Sequence, residues 1–383
     1  MDMESPPIRP DVLNPGARVE HWRILESLGQ RGHGAFFRVE DVRRPAGPLV
    51  MKISLRPGEG LAEDRTARLM AAHPNLAKLH AYGRCAQPGG DFFYSVREEV
   101  RGPLLADWVE AVNPTFLQIA ALVSRLGAMI DQVHTRDTWH RELHPHNIQV
   151  RETDSEPVLL DLRDGGSETL DSLLKTPLSP ELQVFRSPEA LRFLRSNGGR
   201  PQACYRHLIT DDLYSLGALA YWLATGHPPF SPSLSPEQLH TAIELRAPVP
   251  PWEVNPRVPK PLGAIILRLM SKLPEARPYS GETLCAELMV AVSAGARMMW
   301  ARKVFDWAKD EAGQEAIPRR ALRPEPPQVS LQPGPRLPRV VYFNPPAERR
   351  PSAAPLAASP AAKTPRGFGG DFGGPPGPWS RMM

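Results

Sequence analysis

His140-Arg141-Glu142-Leu143-His144-Pro145-His146-Asn147 and, beyond it, Asp161-Leu162-Arg163 are the residues on which the reading of this chain turns. Towards the N-terminus, Trp22 to Glu26 and Phe36 to Glu40 alternate, and Leu49 to Ile53 is a short apolar run; together they predict a small antiparallel sheet. Leu61 to Ala72 reads as a helix, and Leu76 to Tyr82 and Phe92 to Val96 as strands. Towards the C-terminus helices dominate, with apolar residues at helical spacing over Phe116 to Thr135 and Leu213 to Ala224. A closing helix is predicted from Glu282 to Ala296, continuing to Trp307. A β-rich first quarter before an α-rich remainder predicts an α+β fold of two lobes.

At 383 residues the chain is long enough for one two-lobed domain of about 270 residues with extensions. Its apolar content of 41% supports a buried core, and no uninterrupted apolar run approaches the roughly 20 residues of a membrane span. Met1 to Pro15 has no basic-then-apolar leader pattern. Cys85, Cys204 and Cys285 are too scattered for a zinc site or a disulfide framework, and a cytoplasmic protein is expected. The net charge of +4 is uneven: Pro318 to Met383 holds ten Lys/Arg against three Asp/Glu. That region is rich in Pro, Arg and Gly with few aromatics for base stacking, so a disordered tail is expected, with no nucleic-acid partner.

From roughly His21 to Val290 the chain resembles the bacterial eukaryotic-like serine/threonine protein kinases, through separated motifs in the family's order. The opening stretch resembles the catalytic loop His-Arg-Asp with its downstream Asn, and Asp161 to Arg163 the metal-binding Asp-Phe-Gly. Leu28 to Phe37 resembles the glycine-rich loop, in which Gly29, Gly32 and Gly34 let the backbone approach phosphate. Val50-Met51-Lys52 resembles the strand whose lysine holds the α and β phosphates, and His73-Pro74-Asn75 the turn after the regulatory helix, which puts Asp64 or Glu63 opposite Lys52. Phe93 to Val100 resembles the connection between lobes, where the backbones of Glu98 and Val100 would bond adenine. Ser187-Pro188-Glu189, the helix from Asp212 to Gly217, and Arg277, the expected partner of Glu189, resemble the family's architectural motifs. Glu142 to Asn147 also resembles the loop of aminoglycoside and other small-molecule phosphotransferases, but these architectural motifs have no counterpart there.

The resemblance implies ATP and magnesium as ligands. It assigns catalysis to Glu142, His144 and Asn147, metal binding to Asn147 and Asp161, and nucleotide binding to Gly29, Gly32, Gly34, Phe36, Val50, Lys52, Glu98, Val100 and Gln149. It divides the chain into an N-terminal extension (1–20), a protein-kinase-like domain (21–296), a helical extension (297–316) and the tail (317–383). Several residues depart from the family pattern. Glu142 replaces the catalytic Asp, and His144 a Lys. Arg31 replaces the middle glycine of the loop, and Arg163 the triplet glycine. Phe36, Val50 and Gln149 stand where Val, Ala and Leu usually sandwich adenine, and Arg97 stands at the apolar back of the pocket. Phe36 with Val50 is expected to fill the space of the base. The expectation is a pseudokinase adapted away from ATP that acts through other proteins, such as an active kinase or a phosphorylation substrate. The alternative is an ATP-dependent serine/threonine kinase using Glu142 as base. Arg141 would then meet a phosphate on Ser167, Thr169, Ser172, Thr176 or Ser179.

Overall fold

The computed structural model describes residues 13–31, 34–44, 47, 49–55, 73–87, 90–135, 143–160, 167–169, 179–197, 200 and 203–305. The N-terminal lobe is a six-stranded antiparallel sheet: β1 (Arg18–Val19), β2 (Trp22–Arg31), β3 (Gly34–Asp41), β4 (Leu49–Ser54), β5 (Leu79–Gln87) and β6 (Gly90–Glu98), in the order β1-β2-β3-β4-β6-β5. Successive residues of a strand face opposite sides, and the register fixes which residues share a side. Phe37 pairs with Met51 and Met51 with Val96, placing three apolar side chains in the lobe core, whereas Phe36 pairs with Lys52, and Arg38 with Val50 and thence Arg97. Arg18 and Val19 pair with β2, and Leu13 and Val19 are buried in the same core, so packing begins before residue 21.

The strand predicted from Leu76 begins only at Leu79. Residues 75–77 are drawn to the other lobe, because the Ala77 N–H donates to Leu159 O (2.8 Å) and the Leu159 N–H to Asn75 O (2.9 Å), a parallel bridge between Leu76 and Leu159. The Asn75 side chain adds a bond to Pro157 O (2.8 Å). The helix predicted over Leu61 to Ala72 lies outside the described residues.

In the C-terminal lobe, α1 (Leu105–Val112) and α2 (Phe116–His134) precede two short hairpin strands, β7 (Ile148–Val150) and β8 (Pro157–Leu159), and β9 (Ser167–Thr169), which pairs with β10 (Cys204–Arg206). The remaining helices are α3 (Pro180–Gln183), α4 (Pro188–Ser196), α5 (Ile209–Thr225), α6 (Pro236–Leu245), α7 (Pro251–Val254), α8 (Lys260–Leu269), α9 (Gly281–Ala294) and α10 (Arg297–Trp300). By length and composition α2 is apolar enough to cross a membrane, but its most apolar stretch is 67% buried, and it packs against α5 and α9. Thr115 and Gln118 form a capping box at its start. Near its end Asp131 accepts from the first N–H groups of α9, Gly281 (2.6 Å) and Glu282 (2.5 Å). The closing helix is shorter than the sequence predicts. It stops before Gly295, and the chain turns into α10, burying Trp300 at 1% exposure; residues beyond 305 lie outside the description.

Glu189, at the start of α4, meets Arg277 as expected, with Nη1 to Oε1 at 2.8 Å and Nη2 to Oε2 at 3.0 Å. Arg277 also donates to the carbonyls of Thr210 (2.7 Å) and Ser271 (2.9 Å), tying α4, α5 and the α8–α9 connection together. Removing one partner of a buried ion pair strands the other charge. Arg277→Met is therefore expected to cost about 3 kcal/mol in urea denaturation, and Glu189→Gln less, since burial already pushes the Glu189 carboxyl up against the opposing pull of Arg277.

Lys272 lies beside this pair, donating to Ile243 O (2.6 Å) with its ammonium 4.6 Å from the Phe230 ring centroid. Burial, then repulsion from Arg277, pushes its pKa down to about 7. An unfolded lysine stays protonated to about pH 10.4, so between these values the unfolded state binds more protons and stability rises with pH. Lys272→Met is expected to flatten that rise, measured by urea denaturation across the same interval.

Candidate functional site

The face of the sheet turned away from the lobe core overhangs a cleft of about 440 Å³, walled by Leu28, Phe36, Arg38, Val50 and Arg97 from the sheet, Glu99 to Gly102 from the connection, and Gln149, Glu152 and Leu160 from below. This volume falls within the roughly 300–1,000 Å³ of small-molecule sites. Phe36 and Val50 are 7% and 4% exposed, yet they narrow the cleft without filling it. A cleft thus remains beside the two side chains that the sequence reading expects to fill it. The Gln149 amide, part of the same wall, donates to Gly102 O (2.9 Å).

The connection between lobes is pinned on both sides. The Glu98 N–H donates to Lys78 O (2.8 Å), and the Glu98 carboxylate accepts from the Lys78 N–H (2.9 Å). Below, the Val150 N–H donates to Pro103 O (2.9 Å) and the Glu152 N–H to Arg101 O (3.0 Å). This approach requires glycine at 102, where φ is +145° and an added Cβ would lie 2.0 Å from Val150 O. Val100 packs with Ala77, Val158 and Leu160 at the back.

Two arginines give the cleft its character. Arg97, 8% exposed, turns its Nη1 onto the carbonyl oxygen of its neighbour Glu98 (3.2 Å). Arg38 grips Glu99 through Nε (3.0 Å) and Nη2 (2.6 Å) to Oε1, and holds Glu26 with Nη1. The hydrogen bonds to Glu99 raise the already high Arg38 pKa, and the triad joins β2 and β3 to the connection at the mouth. Arg38, Glu99, Arg101 and Glu152 were not among the residues singled out from sequence. The signal for Arg38 was present, since it stands two residues after Phe36 on a strand and so shares its face.

Gly29 adopts φ +89° within β2, and Gly34 starts β3 with its Cα side against the Lys52 stem. Lys52 emerges on the cleft side, its Nζ 5.6 Å from the Phe36 ring centroid, within cation–π reach. Asn147, 5% exposed, closes the short helical turn Pro145–Asn147, and its carbonyl accepts from the Leu160 N–H (3.0 Å), next to the Asp161 position in sequence. His144 begins that turn, with its ring 6.4 Å from Phe185. Lys52, Asn147 and the cleft wall thus belong to one region. Ser167 and Thr169 lie on β9, and Ser179 immediately precedes α3. Gly32, Glu63, Asp64, Arg141, Glu142, Asp161, Arg163, Ser172 and Thr176 lie outside the described residues.

Adenine offers an amino donor and a ring-nitrogen acceptor along its edge. Glu98 O, the acceptor that the family resemblance reserves for the amino group, accepts from the Arg97 guanidinium, so a base approaching it would meet a donor beside that carbonyl. For Gly102→Ala, the strained φ and the clash with Val150 O predict a loss of at least about 1–3 kcal/mol, readable as a lowered urea midpoint.

No family model matches the chain. It is 30% identical over 294 residues to the serine/threonine-protein kinase Pkn1 of Myxococcus xanthus, covering 74% of this chain and 40% of that protein. It is 28% identical over 288 residues to the DNA damage-responsive serine/threonine-protein kinase RqkA of Deinococcus radiodurans, covering 73% and 40%. The chain thus spans about two fifths of the length of these relatives. The fold matches a solved structure of Rad53 in complex with AMP-PNP at a TM-score of 0.52 and 20% identity, over 70% of this chain and 64% of that one. With the sheet, the helical lobe, the Glu189–Arg277 pair and these likenesses, the chain belongs to the bacterial eukaryotic-like serine/threonine protein-kinase family.

Proposed function

We propose that this domain is a pseudokinase, a protein-kinase fold impaired in phosphoryl transfer, which works by contacting other proteins, among them an active kinase or its substrate. The observation that carries the reading is the Arg97 guanidinium on the Glu98 carbonyl, a cation bonded to the acceptor that the family resemblance reserves for the adenine amino group. Phe36, Val50 and Gln149 add to it by replacing an apolar purine slot with a narrower and more polar one. The sequence changes at the reacting end point the same way. Glu142 shifts its carboxylate by about a bond length, and a misplacement of roughly 1 Å costs on the order of a hundredfold in rate. His144 is a weaker cation near neutral pH than the lysine it replaces. A cytoplasmic location accompanies this reading, in keeping with three cysteines that form no disulfide.

The retained Lys52 and Asn147 beside an open cleft favour a second reading, an active serine/threonine kinase with Glu142 as base. One experiment separates the two. The full chain is incubated with ATP and magnesium or manganese and generic protein substrates, alongside Lys52→Ala and Glu142→Ala. The expected outcome is no phosphorylation above the variants; robust phosphate incorporation lost in both would establish the enzyme and end the pseudokinase reading.

A further inference from the structure

The wall that disfavours adenine is well made for a different edge. We propose that the interlobe cleft binds 6-oxopurine nucleotides, of the guanine or hypoxanthine class, in preference to adenine nucleotides, with Arg97 reading the base. This preference concerns the same cleft, and rests on the misfit of adenine that also supports the pseudokinase reading.

Arg97 lines the cleft directly, opposite Val50 in the sheet, and its guanidinium is held in place by the Glu98 carbonyl (3.2 Å). A guanidinium is a planar fork of donors with no acceptor. Adenine presents an amino donor at its 6-position, so two donors would face each other. Guanine and hypoxanthine present O6 beside N7, two acceptors on one edge, the pair that an arginine fork reads in nucleic-acid recognition. The preference therefore follows from the direction of the hydrogen bonds and requires no change in cleft size.

The remainder of the cleft suits a nucleotide more than an isolated base. Lys52 stands two residues beyond Val50 on β4, hence on the same face, and its ammonium lies at the Phe36 ring on the side of the glycine-bearing β2–β3 strands. Lys52 thus offers a cation for the phosphates of a nucleotide whose base is set against Arg97. The Phe36 ring supplies an apolar surface between them.

Titration calorimetry of the full chain with GTP, ITP and ATP, each with magnesium, isolates the base because the three share one triphosphate. ITP lacks the 2-amino group, so it reports the O6 and N7 edge alone. GTP and ITP are expected to bind on the order of tenfold more tightly than ATP, and Arg97→Met, checked for folding by circular dichroism, is expected to abolish that preference. ATP binding as tight as GTP, or an unchanged preference in folded Arg97→Met, would overturn the proposal. Absence of binding by all three would overturn it too while leaving the pseudokinase reading intact, whereas tight ATP binding with Lys52-dependent phosphorylation would end both. Should Arg97→Met not fold, the comparison of the three nucleotides on the unaltered protein still decides the matter.

Discussion

Side chains of a strand must alternate between two faces, and in β3, β4 and β6 that alternation divides the labour of the N-terminal lobe. Phe37, Met51 and Val96 take one side and form the core. Phe36, Arg38, Val50, Lys52 and Arg97 are then committed to the other side by their position in the register. None of them can be withdrawn from the cleft without a one-residue slip that would also turn the core outward. The stability of the lobe therefore fixes which positions form the cleft wall, including those that carry charge.

Those charges are accommodated by pairing. Burying an arginine is costly unless its donors are met; Arg38, which stays partly exposed, meets Glu99 and Glu26, and the buried Arg97 turns Nη1 to Glu98 O. The same bonds have a second effect: they stretch across β2, β3 and the connection, so groups that decorate the mouth of the cleft also brace it. In the C-terminal lobe Arg277 has the same double character, since neutralising Glu189 and joining three segments are one set of bonds.

Much of this was legible in the sequence because it rests on local pattern. Alternation around Trp22 and Phe36 and the apolar run from Leu49 gave the strands, the apolar spacing after Phe116 gave α2, and the Ser-Pro-Glu motif anticipated the Glu189–Arg277 pair. What escaped depends on partners distant in sequence. Leu76 reads as strand by composition, but its backbone is claimed by Leu159 across the lobes. The end of α9 depends on the turn that buries Trp300. Arg38 with Glu99 required the register of β3 together with the path of the connection, and the bond from Gln149 to Gly102 O joins positions far apart in sequence. Residue identities alone suggested filling; only their directions show the gap.

Among the described residues, the bridge between Leu76 and Leu159 gives the lobes a second main-chain attachment, through the bonds of Asn75 and Ala77 to β8, beside the connection at residues 99–104. A body fastened at two points retains an easy rotation only about the line that joins them. Sliding or twisting of one lobe over the other would first have to break these main-chain bonds.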